Sequence, residues 1–334
     1  MTAAALLRQH PDELAVLTSV TAEHLGIDPA FVEKDFWVTE VLRAVTVEHD
    51  IADTSGNRHP VGVTFKGGTS LSRVYGITQR FSEDVDVLLA FPTLTTVGAR
   101  DRVLKAKCEA AREHLDIDPA ACTSFDQTKG VKRSMRYTYP AAGAGSEEIT
   151  TGVLLELGSR GGSEPVRQHQ LRSMLATHAI DELQESPAEW EEFAAVAVTA
   201  LAPERTLFEK LSHLHSAGRM AVEGDDSKLS LAGRHIYDVY RLLVDPSTIA
   251  ALTDLGPNGV KALCADIDGR SLDAGWAVDP RPDSGYAGGP LYQKDPQVTS
   301  AARAAYRRST GLIWGDVPSL DECLNKVREL QGLL

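Results

Sequence analysis

The sequence predicts an α/β protein (α+β), in which a mixed β-sheet is followed by a mostly helical C-terminal part. Two observations favour this class. Strand-like and helix-like segments follow one another before Pro165, whereas helical periodicity dominates after it. At 334 residues, the chain is also long enough for two ordinary domains. We therefore predict a bilobed chain, with an α/β lobe at residues 1–170 and a mainly helical lobe at residues 171–334.

Helix signals begin at Asp28, a residue type that caps helix N-termini, and Pro29 fits the first helical position. Amphipathic periodicity then predicts a helix over residues 31–45. The other predicted helices cover residues 69–75, 99–114, 204–216, 231–244, 258–266, 298–308 and 320–333. The predicted strands cover residues 61–65, 84–91, 132–139, 149–157 and 195–201. Small residues at 141–146 predict a hairpin tip, and the Pro-, Gly- and Asp-rich residues 279–296 predict a long exposed loop.

The composition is that of an ordinary globular protein, with 43% hydrophobic and 24% charged residues. No apolar run is long enough to span a bilayer, and the N-terminus lacks the order of a signal peptide. The four cysteines lie far apart, without the paired spacing of a zinc site or a disulfide framework. We therefore expect a cytoplasmic protein with reduced thiols and no membrane partner.

The net charge of −13 argues against a protein that grips duplex DNA over a broad surface. A nucleic-acid partner would have to meet a local positive patch. The sequence contains two such patches: Lys129, Lys132, Arg133 and Arg136, and Arg303, Arg307 and Arg308. For either patch alone, a solvated face of a strand or helix is the competing interpretation.

Two carboxylates, Asp84 and Asp86, stand two residues apart at the start of an apolar strand. Because residues two apart share one face of a strand, their side chains point the same way and repel each other unless a cation lies between them. Oxygen ligands of this kind suit Mg²⁺, with Mn²⁺ as the alternative. Glu156, inside the apolar stretch 153–157, would supply a third metal-binding carboxylate if its strand neighbours theirs. The alternatives are a solvated strand end and a salt bridge from Glu156 to Arg160.

A glycine turn precedes these carboxylates. Gly67 and Gly68 would let the backbone approach a phosphate, and Thr69, Ser70 and the start of a helix would supply N–H and hydroxyl donors. Lys66 would either help to neutralise the phosphates or remain solvated. A strand, this turn, a short helix and then the paired carboxylates form an ordered arrangement. It predicts a site for a nucleoside triphosphate and a divalent metal.

Four sequence blocks carry a resemblance to a known family. They are KGGTSLS at 66–72, RFSEDVDV at 80–87, LFEKLSHL at 207–214 and RHIYDVYR at 234–241. With these blocks in this order, the chain resembles the DNA polymerase β-like nucleotidyltransferases. More narrowly, it resembles the AbiEii/AbiGii and MenT nucleotidyltransferase toxins of bacterial toxin–antitoxin and phage-defence systems. The resemblance implies a polymerase β-like core in the first lobe.

The resemblance also implies roles for individual residues in the first two blocks. Asp84 and Asp86 are expected to hold the metal ions, and Ser70 with the Gly67–Gly68 turn is expected to bind the triphosphate. Ser82 should lie close to the metal site. A phosphate added to Ser82 would place negative charge beside the carboxylates and block triphosphate binding, although an ordinary turn-capping serine is the alternative.

In the last two blocks, the resemblance implies that Lys210 reaches the phosphates and that Asp238 completes the pocket. A lysine at the edge of an apolar helix face could instead extend its charge to water. Asp238 could instead form a salt bridge to Arg234 or Arg241. Arg234 itself is either an anion contact or a surface residue.

The resulting prediction is a Mg²⁺-dependent nucleotidyltransferase toxin. It would transfer a nucleoside monophosphate from an NTP to an RNA acceptor, in this family often the 3′ end of tRNA, and so block translation. A cognate antitoxin is the expected protein partner. The alternatives are a nucleotidyltransferase for small molecules of the antibiotic type, one that modifies proteins, and a non-catalytic regulator that binds an NTP.

Overall fold

The computed structural model describes residues 4–82, 84–141, 151–293 and 295–334. Contacts between residues divide the chain into two compact units. The first comprises Met1–Thr69, Glu83–Ser159 and Val166–Ala200, and the second comprises Ser70–Ser82, Arg160–Pro165 and Leu201–Leu334. The predicted boundary between the two lobes, at residues 170 and 171, stays a prediction. Apart from Ala141, the hairpin tip predicted at 141–146 lies outside the described residues, as do residues 149 and 150 of one predicted strand.

The first unit combines a mixed sheet with four helices in the described residues. Its helices are α1 (Pro11–Leu25), α2 (Pro29–Thr46), α4 (Val97–His114) and α5 (Met174–Asp181), and the short helix α3 (Gly67–Arg73) begins in this unit. A small hairpin consists of β1 (Asp50–Ala52) and β2 (Arg58–Pro60). The main sheet consists of β3 (Gly62–Lys66), β4 (Asp84–Ala90), β5 (Cys122–Thr128), β6 (Lys132–Tyr137), β7 (Val153–Gly158), β8 (Val166–Leu171) and β9 (Val196–Leu201).

The seven strands lie in the order β5-β6-β7-β4-β3-β9-β8. β4 pairs in parallel with β7 and antiparallel with β3, and β6 pairs antiparallel with both β5 and β7. All five strands predicted from sequence are present in this sheet, and its two strands that were not predicted, β5 and β8, are its edges. β5 is mostly exposed, β8 is mostly half-buried, and both are rich in polar residues, so they lack the apolar pattern that marks a buried strand.

One face of the sheet is the apolar core of this unit. Val85 and Val87 of β4 and the facing Leu155 and Leu157 of β7 are almost completely buried. Helix α2 contacts β4 and β7, and α4 contacts β6. The Tyr137 hydroxyl of β6 donates a 2.8 Å hydrogen bond to a backbone carbonyl of α4. The opposite face of the central strands therefore remains available for polar groups.

Helix α2 begins as the sequence predicts. The Asp28 carboxylate accepts a 2.8 Å hydrogen bond from the Ala30 N–H, and Pro29 is the first helical residue. This capping satisfies a backbone N–H that the helix itself leaves unpaired.

The second unit is almost entirely helical. After α3 it contains α6 (Pro203–Val222), α7 (Ser227–Leu231), α8 (Gly233–Val244), α9 (Pro246–Asp273), α10 (Pro296–Ser309) and α11 (Leu320–Glu329). Helix α9 extends far beyond the predicted 258–266 and is interrupted at Gly256, whose φ of 60° is not helical and which precedes Pro257. The mixed α/β class and the mostly helical C-terminal part are thus confirmed. Within the described residues, no helix is long and apolar enough to cross a membrane.

The segment predicted as a long exposed loop at 279–296 is not exposed throughout. It lacks long helices and strands, but Tyr286, Leu291 and Tyr292 are buried in the core of the second unit. Three large side chains therefore anchor a segment whose many Gly, Pro and Asp residues are typical of an exposed loop. The prediction of exposure was wrong because burial followed these side chains rather than the average composition.

We expect Gly233→Ala to destabilise the second unit. A Cβ at this position in α8 would lie 2.2 Å from the backbone oxygen of Ala305 in α10, and a backbone atom cannot rotate away. The expected loss of unfolding free energy is about 1–3 kcal/mol, as for other overpacked sites. The matched control is Gly269→Ala in α9, where nothing lies within 4 Å of the new Cβ. Denaturant titration should show the control unchanged or stabilised by up to about 1 kcal/mol. Equal effects of the two substitutions would contradict the close packing of α8 on α10.

Candidate active site

A row of polar side chains crosses the sheet on the face opposite the apolar core. Asp86 of β4 lies directly opposite Lys66 of β3 on one side and Glu156 of β7 on the other, and Ser134 of β6 lies opposite Glu156. Directly paired residues of neighbouring strands project from the same face. We call Lys66, Asp86, Glu156 and Ser134 the polar row. Asp84, two residues before Asp86, projects from the same face one step along β4.

Asp86 is the electrostatic centre of the polar row. Burial raises the pKa of its carboxyl to about 6, and the negative charges of Glu156 and Asp84 act in the same direction. The Lys66 ammonium partly opposes this shift, while a hydrogen bond between the Asp86 and Glu156 side chains adds to it. Two carboxyl groups can share a hydrogen bond only if one of them holds a proton. The pKa of Asp86 is thus raised by burial beside two other acidic residues, and a bound cation would relieve the same repulsion.

Glu156 has two further partners within the first unit. Its Oε1 lies 3.2 Å from the Lys132 ammonium and accepts a hydrogen bond of 3.2 Å from the Ser134 hydroxyl. The proposed salt bridge to Arg160 is therefore not the contact that the structure shows, because the guanidinium of Arg160 donates to the backbone oxygen of Ala274. The cation that pairs with Glu156 is therefore Lys132, a pairing that the sequence did not predict.

Whether a divalent metal fits this site can be judged from the donors. Asp84, Asp86 and Glu156 offer carboxylate oxygens, the ligands that Mg²⁺ and Mn²⁺ prefer, and burial together with the neighbouring negative charges raises the pKa of Asp86. In the described part of the chain, however, no three His, Cys, Asp or Glu side chains are grouped closely enough to hold a metal. The donor chemistry thus fits a divalent cation, while in the present side-chain arrangement the Lys132 ammonium lies beside Glu156.

The glycine turn packs directly against the Asp86 carboxylate. Gly67 has a φ of 78°, and a Cβ there would lie 2.1 Å from the Asp86 Oδ2. Both the left-handed backbone and the lack of space exclude other residues. The Thr69 hydroxyl donates a 2.5 Å hydrogen bond to the backbone oxygen of Asp84. The first residues of α3 are therefore held against the start of β4, with Gly68 between these two contacts. Whether this turn binds phosphate stays a prediction.

Ser70 and Ser82 belong to the second unit. Ser70 is completely buried in α3, and Ser82 is partly buried just before residue 83, which lies outside the described residues. Their predicted roles in triphosphate binding and control stay predictions.

A second charged site lies inside the helical unit, around Asp238 of α8. The Asp238 carboxylate is completely buried and receives both ends of the Arg80 guanidinium, at 2.6 Å and 2.7 Å. The Lys210 ammonium of α6 lies 2.8 Å from the same carboxylate. Burial by itself would raise the pKa of Asp238, but the charges of Arg80 and Lys210 outweigh it and hold the pKa well below its usual range.

His235 completes this cluster through its contact with Lys210. The Lys210 Nζ lies 3.1 Å from the His235 Nδ1. Because an ammonium group can only donate, Nδ1 must be the acceptor, and the proton of the neutral ring is on Nε2. Burial and the neighbouring Lys210 charge lower the pKa of His235 well below its usual value, which keeps the ring neutral. We call Arg80, Lys210, His235 and Asp238 the Asp238 cluster.

The structure decides between the interpretations that the sequence left open for these residues. Lys210 is only 7% exposed and is paired with Asp238, so it does not extend its charge to water. Asp238 pairs with Arg80 and Lys210 rather than with Arg234 or Arg241. Arg234 is partly buried in the first turn of α8. Sequence reasoning missed Arg80, although it opens the RFSEDVDV block.

Two comparisons with known proteins give matches. A family model described as "Nucleotidyl transferase AbiEii toxin, Type IV TA system" matches residues 55–271, which is more than half of the chain. Among solved structures, MenT4, a nucleotidyltransferase toxin from Mycobacterium tuberculosis H37Rv, matches with 16% sequence identity and a TM-score of 0.46. That match covers 95% of this chain and 97% of the MenT4 chain. None of the curated proteins matches.

We expect Arg80→Met to destabilise the protein strongly. It would leave the completely buried Asp238 carboxylate with Lys210 as its remaining charged partner. Removing one partner of a buried ion pair costs about 3–5 kcal/mol, which denaturant titration would detect. Arg234→Met, on the same helix as Asp238, should change the unfolding free energy by less than about 1 kcal/mol. A similar effect of both substitutions would show that the Arg80–Asp238 pair is not what stabilises this cluster.

Asp86 should make stability fall as the pH rises from about 4 to 6. In this range the folded protein holds a proton, because the pKa of Asp86 is raised to about 6, whereas the unfolded chain has released it. Asp86→Asn should flatten this part of the stability–pH curve and stabilise the protein near pH 7 by roughly 2 kcal/mol. Asp12→Asn, at an exposed position of α1, is the control and should keep the slope. An unchanged slope in Asp86→Asn would contradict the raised pKa.

Proposed function

This chain belongs to the AbiEii nucleotidyl transferase toxin family, and we propose on that basis that it transfers a nucleoside monophosphate from an NTP to RNA. The acceptor we propose is the 3′ end of tRNA, whose modification would stop aminoacylation and so block translation. The family implies nucleotidyl transfer, an NTP substrate and an antitoxin partner. The RNA acceptor, the Mg²⁺ requirement and a role in phage defence are part of the proposal.

The observation that carries the proposal is the convergence of Asp86 and Glu156 beside the Gly67 backbone. Asp86, whose pKa is raised by burial and which lies beside Glu156, is a group that can bind a cation or exchange a proton. Asp84, Asp86 and Glu156 are the residues that would hold the metal. When bound, Mg²⁺ would activate the attacking hydroxyl and stabilise the leaving pyrophosphate.

The chain's own residues account for the proton and the charges in this reaction. The acceptor hydroxyl oxygen bonds to the α-phosphorus of the NTP, the bond to pyrophosphate breaks, and the hydroxyl proton must pass to a base. Asp86 or Glu156 is the proposed acceptor of that proton. Gly67, Gly68, Thr69 and Ser70 are the proposed contacts of the triphosphate, with Lys66 adding positive charge at the start of the turn.

Within the second unit, Lys210 is the proposed cation for the triphosphate. Its ammonium is held by the Asp238 carboxylate and the neutral His235 ring, so its direction and charge are fixed before a nucleotide arrives. Asp238 acts through Lys210, and Arg234 is proposed as a further anion contact. Ser82 remains a candidate control point, where a phosphate would add negative charge two residues before Asp84.

The test is incubation with total RNA and each labelled NTP in turn. Wild type should label tRNA and release pyrophosphate when Mg²⁺ is present, and Asp84→Asn should lower the rate by about 10³-fold or more, because the metal contributes several kcal/mol to the transition state. Asp12→Asn should keep the wild-type rate. Glu156→Gln, with Glu113→Gln on α4 as its control, tests the third carboxylate in the same assay.

Three outcomes would contradict this proposal. Labelling of an aminoglycoside or a protein instead of RNA would exclude the RNA acceptor. NTP binding without pyrophosphate release would indicate a regulator rather than an enzyme. An RNA-labelling rate that is unaffected by Asp84→Asn would remove the carboxylates from the mechanism.

A further inference from the structure

The cationic patch around Lys132 is largely neutralised by its own unit. Lys132 lies 3.4 Å from the Asp126 carboxylate and 3.2 Å from Glu156, and Arg133 lies 3.5 Å from Asp101 of α4. Because Lys132 and Arg133 are neighbours on β6, they also project from opposite faces of the sheet. These residues therefore do not form one basic surface, as the sequence had suggested.

The patch on α10 has a different environment. Arg303 and Arg307 are exposed, lie four residues apart on one side of the helix, and form no ion pair within the described residues. Arg308 is exposed as well and donates a 2.9 Å hydrogen bond to the backbone oxygen of Ser230. The helix from Pro296 to Ser309 contains no Asp or Glu. Positive charge at the C-terminal end of a helix is stabilising by itself, which accounts for Arg307 and Arg308 but not for Arg303 in the middle.

A groove between α10 and α11 extends this surface. It is a cavity of about 470 Å³, and Thr299, Ser300, Arg303, Asp321 and Arg328 are among its lining residues. Two arginines, Arg303 and Arg328, thus line the groove together with a single acidic residue, Asp321. The Arg328 guanidinium is held in place, because it donates to the Tyr292 backbone oxygen at 2.7 Å and to the Asn325 side chain at 2.5 Å. The Thr299 hydroxyl is buried and has no hydrogen-bond partner in the described part of the chain.

We propose that Arg303, Arg307 and this groove form an RNA-binding surface that contacts backbone phosphates. The planar guanidinium of arginine matches the oxygens of a phosphate in a bidentate way, and the exposed Ser300 lines the groove beside Arg303. The protein carries a net charge of −13, so a polyanion is repelled by most of the molecule and should bind where the local charge is positive. Only the identity of the ligand as RNA rests on the proposed function.

The test is the binding of fluorescently labelled tRNA to the full chain, measured by anisotropy over a series of salt concentrations and without any NTP. Arg303→Gln/Arg307→Gln removes two positive charges while keeping good helix formers. We expect its affinity to fall by about tenfold and the slope of log K against log salt to decrease in magnitude by about 1.4, as for the loss of two phosphate contacts. The control Lys261→Gln/Arg270→Gln removes two charges from α9 of the same unit and should stay within about twofold of wild type.

The outcomes separate this surface from the proposed reaction. Equal binding by the arginine variant and the control would overturn the surface, even if tRNA is labelled normally by wild type. Displacement of tRNA by polyglutamate at equal charge concentration would indicate an acidic protein partner and overturn the assignment to RNA. The binding assay contains no nucleotide and so does not depend on catalysis. If the protein binds tRNA through this surface but transfers no nucleotide, the proposed reaction is wrong and the surface is not. Circular dichroism of each variant controls for folding.

Discussion

Strand pairing between β4 and β7 holds the side chains of Asp86 and Glu156 next to each other, although their negative charges repel. Their neighbours on these strands, Val85, Val87, Leu155 and Leu157, are buried on the opposite face, so the free energy of apolar burial fixes the register. A shift by one residue would bury the carboxylates and expose the valines and leucines. The core therefore holds Asp86 beside Glu156, and burial together with this neighbouring charge raises the pKa of Asp86.

The two charged sites of the chain balance their charges differently. The polar row and Asp84 together carry an excess of acidic groups, partly compensated by Lys66 and Lys132. The Asp238 cluster has one carboxylate against two permanent cations, and its histidine is kept neutral. An acidic excess attracts metal cations, and a cationic excess attracts phosphates. The two clusters thus carry charge imbalances of opposite sign, each within its own unit.

Charge compensation also distinguishes cations that stabilise the fold from cations that remain available for a ligand. Arg133 pairs with Asp101 of its own unit, so it cannot meet a polyanion without losing that partner. Arg303 and Arg307 have no such ion pair in the described chain and are exposed to solvent. In a protein with a net charge of −13, a candidate anion-binding surface is therefore identified by which arginines lack an ion pair, and not by how many arginines lie close together in the sequence.

The sequence by itself determined the mixed α/β class, the start of α2 at Asp28, the interior strands and the shared face of Asp84 and Asp86. These features depend on local periodicity and capping, which a few neighbouring residues decide. Tertiary structure alone decided that Glu156 faces Asp86, that Lys132 compensates Glu156, and that Arg80 pairs with an aspartate 158 residues away. The polar edge strands β5 and β8 belong to this second group as well. Strand pairing and long-range ion pairs depend on which distant segments come into contact, and a local pattern of residues does not predict those contacts.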